Sequence, residues 1–168
     1  MTIQTTGDTG PQHRPEGLPE GLPERLDVLT QFWEGGVRTE LGLEENDLEA
    51  VLGVANMKLK AGDQATAQRM YLALVLCDPG NFKFQQGLAN VCLKTGEFDA
   101  VVQTASVMVM LKPDDPTGYY FSGAACLALG HLAEAREDIT DALAFAQQKQ
   151  DAVLVGECRR LLLQLDAQ

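Results

Sequence analysis

The sequence predicts an all-α protein: a solenoid of three helical hairpins, flanked by an N-terminal helix and a C-terminal capping helix. Three observations carry this prediction. Glycines stand at Gly62, Gly96 and Gly130, a constant step of 34 residues. Prolines at Pro79 and Pro113 repeat the same step. Ala67, Val101 and Ala135 each follow a repeat glycine by five residues. A fixed step of this size marks stacked helix–turn–helix units, and independent markers held in one register set it apart from unrelated hairpins of similar length.

Taken in order, residues 1–22 read as a disordered tail. Gly7, Gly10, Pro11, Pro15, Gly17, Pro19 and Gly21 leave little to bury, and Pro-Glu-Gly-Leu occurs twice between Pro15 and Leu22. Residues 23–46 read as a short helix and an acidic linker. Pro23 suits a first helical turn, Leu26, Leu29, Phe32 and Trp33 line one face, and Gly35-Gly36 end the helix. Such a short helix is marginal alone, so it must pack on the first repeat or on a second copy of the protein. Asn46 or Asp47 is the expected cap of the next helix.

Residues 47–150 hold the repeats, phased as Leu48–Asn81, Phe82–Asp115 and Pro116–Lys149. Thirty-four residues is the length of a tetratricopeptide unit. The first A helix offers Val51, Val54, Ala55 and Leu59 as its apolar stripe and turns at Gly62. Its B helix offers Ala67, Met70, Tyr71, Leu74 and Val75, and ends at Asp78-Pro79, where proline cannot continue a helix. The second unit repeats this with Leu88, Ala89, Val91 and Cys92, then Val101, Val102, Ala105, Met108 and Val109. The third gives Tyr119, Tyr120, Gly123, Ala124, Cys126 and Leu127, then Leu132, Ala135, Ile139 and Leu143. Small residues in one phase at Ala55, Ala89 and Gly123, and in another at Ala67 and Ala135, mark the close approach of A and B helices. Residues 151–168 read as a capping helix. Asp151 begins it, and Leu154, Val155, Cys158, Leu161, Leu162 and Leu165 cover the last apolar face that a solenoid would leave open.

Composition narrows the function. The 168 residues carry a net charge of −11, which argues against a nucleic-acid partner and against an anionic membrane surface. No apolar run approaches the ~20 residues that span a bilayer, and no basic-then-apolar start marks a secretory signal. The four cysteines form no metal-binding spacing. With Cys92 and Cys126 inside A helices, they read as small core residues of a cytoplasmic protein. No phosphate-binding loop, nucleophile elbow or metalloprotease helix is present, so no enzyme activity, cofactor or metal is expected.

What remains is the concave face of the solenoid, lined by A-helix positions that turn away from the B helices. The candidate groove is Leu52, Asn56, Leu59 and Lys60 from the first unit, Lys83, Gln86, Asn90, Leu93 and Lys94 from the second, and Tyr120, Ala124 and Leu127 from the third. Asn56 and Asn90 share a phase, and a side-chain amide both donates to and accepts from an extended backbone. The leucines and Tyr120 supply apolar pockets, so the face suits an extended segment with apolar anchors. The lysine and asparagine clamp of heat-shock co-chaperones is not reproduced. Leu52 stands at its first lysine, Thr117 and Phe121 replace its basic third-helix residues, and only Asn56 fits.

Several stretches together resemble the class II chaperones of bacterial type III secretion systems. They are Gly35-Gly36, Asp47-Leu48-Glu49, Leu72–Asp78, Gly87–Cys92 and Gly123–Ala135, in a layout of three repeats after an N-terminal helical segment. The resemblance implies a cytoplasmic protein that binds hydrophobic translocators one at a time, through an extended Pro-x-Leu-x-x-Pro-like segment laid in the concave groove. It also implies a homodimer formed through Leu26, Leu29, Phe32 and Trp33. Family members often carry aromatic residues where Leu52 and Leu59 stand here. The duplicated Pro15–Pro23 stretch loosely mimics the client motif and is a candidate occupant of the empty groove. The alternatives are a chaperone of another secreted needle or filament component, and a general tetratricopeptide adaptor.

Overall fold

The computed structural model describes residues 37–38 and 41–167. Within them the chain forms seven helices: α1 (Glu45–Lys60), α2 (Gln64–Cys77), α3 (Phe82–Thr95), α4 (Phe98–Leu111), α5 (Pro116–Leu129), α6 (Leu132–Gln148) and α7 (Ala152–Asp166). No strand occurs among the described residues. The expected tail at 1–22 and the expected helix carrying Leu26, Leu29, Phe32 and Trp33 lie outside them.

The three repeat glycines do the work their spacing predicts. Gly62, Gly96 and Gly130 sit at φ 83°, 81° and 82°, a left-handed conformation that a Cβ would strain. After each glycine the next N–H reaches back to the carbonyl five residues earlier: Asp63 to Lys58 at 3.0 Å, Glu97 to Cys92 at 2.9 Å, and His131 to Cys126 at 2.9 Å. Each hairpin therefore closes on the same Schellman-type turn. Side-chain caps begin most of the other helices. Asp63 accepts from the Thr66 N–H, Asn81 from Lys83, Asp115 from Thr117 and Asp151 from Leu154, at 3.0–3.2 Å. The first helix departs from expectation. Its cap is Glu44, not Asn46 or Asp47, and Asp47 instead lies inside the helix, where Oδ2 accepts the Glu44 N–H at 2.9 Å.

Consecutive helices pack as antiparallel neighbours, and α1 also touches α3, α3 touches α5, and α5 touches α7. The odd-numbered helices therefore form a closer inner row and the even-numbered ones an outer row, the architecture of a tetratricopeptide solenoid. The core is built as two clusters, with the half-buried Val102 and Tyr120 packed against both. One cluster runs from Leu48 through Tyr71, Phe84 and Met108 to Phe121, and a second joins Cys126, Ile139, Cys158, Leu161 and Leu165. The small residues sit where helices meet. Ala55, Ala67, Ala89, Val101 and Ala135 are fully buried. A Cβ on Gly123 would stand 2.6 Å from Ile139 Cγ1 and 3.1 Å from Ile139 N.

Two residues of the expected apolar stripes face solvent instead. Leu132 opens α6 before the helix reaches the core and is 39% exposed. Val54 is 37% exposed, because no described helix precedes the first repeat to cover that side of α1. Leu48 and Leu52 take the core positions of α1. Gln85 is a buried polar residue that the apolar pattern did not mark. Its Nε2 donates to the Pro79 carbonyl at 2.8 Å and ties α3 to the turn before it.

Candidate functional site

The inner row presents the A-helix positions on one side of the molecule. Glu49 of α1 and Lys83 of α3, one repeat apart, meet at 2.9 Å across adjacent inner helices. Lys60, Gln86 and Lys94 are exposed along the same row, and Asn90 and Ala124 are half-buried. The apolar candidates divide. Leu59, Leu93 and Tyr120 are half-buried against the core, whereas Leu52 and Leu127 sink into the two core clusters and show only an edge.

Asn56 has a partner that its phase did not reveal. The Tyr71 hydroxyl, reaching through from α2, donates to Asn56 Oδ1 at 2.7 Å. Tyr71 is only 1% exposed, and its ring lies over Gly87 of α3, where any Cβ would collide with it. Burial pushes the Tyr71 phenol above its ordinary pKa, so the hydroxyl stays a donor at neutral pH. The side-chain oxygen of Asn56 is thereby engaged, and its two Nδ2 hydrogens have no partner among the described residues. In the second repeat, the residue in the phase of Tyr71 is Ala105, and Asn90 receives no such bond. The sequence signal was a single tyrosine in a B-helix phase otherwise held by Ala105 and Ile139, together with a glycine sixteen residues later.

The far end of the row is closed by α7. Burial raises the Tyr120 phenol, the nearby Glu157 carboxylate adds to the rise and Arg160 opposes it. Arg160 donates to Glu157 Oε2 through Nε at 3.0 Å and through a terminal nitrogen at 2.9 Å. Both residues belong to the helix expected to cap the last repeat, and nothing in their spacing pointed to Tyr120. On the third repeat, Tyr119 stacks on Phe145 at 5.3 Å and its hydroxyl donates to the Pro113 carbonyl at 3.0 Å.

Three cysteine thiols are buried in the core. Burial pushes the Cys158 thiol up to about 11 and also raises Cys92 and Cys126, so these three thiols stay protonated and unreactive. Among the described residues no group of three or more His, Cys, Asp or Glu side chains is placed to hold a metal ion. No helix among them is long and apolar enough to cross a membrane.

The paired helices, stacked with one row inside the other, define the class of fold as a tetratricopeptide-type solenoid. Within that class, the chain has the fold of the translocator chaperones of type III secretion. A type III secretion complex from Aeromonas hydrophila superposes with a TM-score of 0.77 at 20% identity, over 86% of this chain and 97% of that one. Pseudomonas aeruginosa PcrH, solved with the chaperone binding region of PopD, gives 0.70 at 23% identity, over 75% and 96%. The Yersinia enterocolitica translocator chaperone SycD gives 0.68 at 20% identity, over 80% and 98%. By sequence the chain matches no known family profile and no curated protein.

Proposed function

We propose that this chain is a type III secretion chaperone. It holds an extended segment of a hydrophobic translocator in its inner-row groove and keeps that client soluble in the bacterial cytoplasm before export. The observation that carries this reading is the superposition on PcrH, which was solved with a client's chaperone binding region and is matched over 96% of its length. The groove chemistry agrees. Asn56 and Asn90 offer amide donors to an extended backbone, and Leu59, Leu93 and Tyr120 offer apolar contact. Chaperoning by such a groove is passive. Binding a membrane-inserting segment favours the soluble state by mass action and blocks client-to-client contact, with no reaction to catalyse. Without a client, two copies are expected to pair, as SycD does in a solved dimer.

The test is co-expression in bacteria of the tagged chain beside an Asn56→Ala/Asn90→Ala variant, with mass spectrometry of the proteins retained. The wild type should retain a hydrophobic secreted protein in soluble form. The double variant should bind it roughly thirtyfold more weakly, about 2 kcal/mol for two hydrogen bonds. Retention of folded cytoplasmic proteins alone, or of one identical set by both forms, would make the chain a general adaptor.

A further inference from the structure

In a chain of net charge −11, the inner-row positions carry Lys60, Lys83 and Lys94 beside Glu49. Side chains of one phase on successive repeats come within reach of each other. Lys83 Nζ meets Glu49 Oε1 at 2.9 Å, and Lys149 Nζ meets Asp115 Oδ2 at 3.3 Å. Both of these junctions join opposite charges. Lys60 and Lys94 also share a phase, exposed in the last turns of α1 and α3, and their junction pairs like charges. Each follows an asparagine, Asn56 or Asn90, by four residues, so it lies about 6 Å along the same helix face. The two helices thus repeat one set, Asn-x-x-Leu-Lys. On α5 the set changes character. Ala124 and Ala128 stand at the asparagine and lysine positions, with Tyr120 and Leu127 beside them.

We propose that the segment this groove takes is bipartite: acidic side chains lie against Lys60 and Lys94, and a large apolar side chain lies over Ala124 and Ala128 of α5. The proposal rests on the groove reading given above and adds the chemistry of the client. Two ammonium groups in one phase repel each other, and a carboxylate between them turns that repulsion into attraction. The amides of Asn56 and Asn90, one turn away, face the segment's backbone, so one segment meets both rows. On α5 the methyl side chains of Ala124 and Ala128 leave room for a large group, and Tyr120 and Leu127 give it apolar walls. Neighbouring helices lie about 10 Å apart, which an extended chain covers in about three residues. The step from the lysine pair to α5 therefore sets the acidic residue roughly three to five residues from the apolar anchor. The chain's overall acidity opposes the approach of such a segment. Its recognition then falls to this short basic edge at close range rather than to long-range attraction.

The test is a random array of short synthetic peptides probed with the tagged full-length chain. Bound peptides should be enriched in Asp or Glu at roughly three to five residues from a large apolar residue. With the tightest of them in solution, replacing its acidic residues by Asn or Gln should weaken binding roughly fivefold at low salt, and by less at high salt. Lys60→Gln/Lys94→Gln should abolish that difference and keep the apolar preference, with the helical circular dichroism unchanged. Lys112→Gln, which removes a charge that sits over the Phe82 ring, should select the same peptides as the wild type. An apolar preference alone, or an acidic preference that survives in Lys60→Gln/Lys94→Gln, overturns this proposal and leaves the groove reading standing. No bound peptide at all, or the same peptides bound equally by Asn56→Ala/Asn90→Ala, overturns the groove reading and this proposal with it.

Discussion

The Tyr71 hydroxyl fixes one side chain of the proposed groove: it orients the Asn56 amide by donating to its oxygen. A free asparagine samples both amide orientations, but the 2.7 Å bond to Oδ1 turns the Asn56 nitrogen toward the open face. Tyr71→Phe keeps the ring over Gly87 and removes only the donor. One lost hydrogen bond of about 1 kcal/mol predicts roughly fivefold weaker client binding by calorimetry. In an Asn56→Ala background the same change should cost nothing further, and an equal loss in both backgrounds would refute the coupling. That Asn56 belongs to the inner row was legible from its repeat phase. That its oxygen is already engaged was not, because a bond between neighbouring helices depends on how closely they pack, which Gly87 sets from a third helix.

At the scale of elements, the sequence was most legible where backbone chemistry leaves few choices. Three glycines at positive φ and a proline after Asp78 give helix ends that composition alone can place. The start of α1 was less legible. Glu44 is a weak capping residue by preference, and Asp47, the better candidate, serves from inside the helix instead. Val54 was misassigned for a different reason. Its apolar spacing is that of a covered residue, but no helix among the described residues covers that side of α1. The capping helix offers a direct test of cap energetics, because Asp151 accepts the Leu154 N–H at 3.0 Å in front of a helix that seals the second core cluster. Asp151→Ala should lower stability by about 1 kcal/mol in chemical denaturation, roughly 3 °C in Tm. Asp151→Asn should restore most of it.

The whole molecule carries its acidity unevenly, and one carboxylate bears a cost. Burial on α6 raises the Asp138 pKa, and Glu137, Asp141 and Glu134 raise it further, against a lowering bond from Ser122 of α5. Cys126 of α5 also feels this charge. A raised folded-state pKa means that the folded chain holds this proton more tightly than the unfolded one. The associated stability is therefore full below the unfolded carboxylate pKa and is lost as pH rises through the folded value. Asp138→Asn should raise Tm by about 2 °C near neutral pH, and the advantage should vanish as melts are taken below about pH 4. An advantage independent of pH would trace to packing instead.

The Tyr71 and Gly87 pair has a counterpart one repeat on, where the small residue comes first: Ala105 and Phe121, both buried in the same cluster. The junctions between repeats are therefore keyed in opposite senses. A second copy of the middle repeat placed after itself would set Ala105 against glycine and leave a void. The first repeat joined directly to the third would drive Tyr71 into Phe121. Although the three units share a length and a phase, their order is written into their volumes. A chain of this kind cannot lengthen or shorten by recombining its own repeats without a compensating change at the new junction.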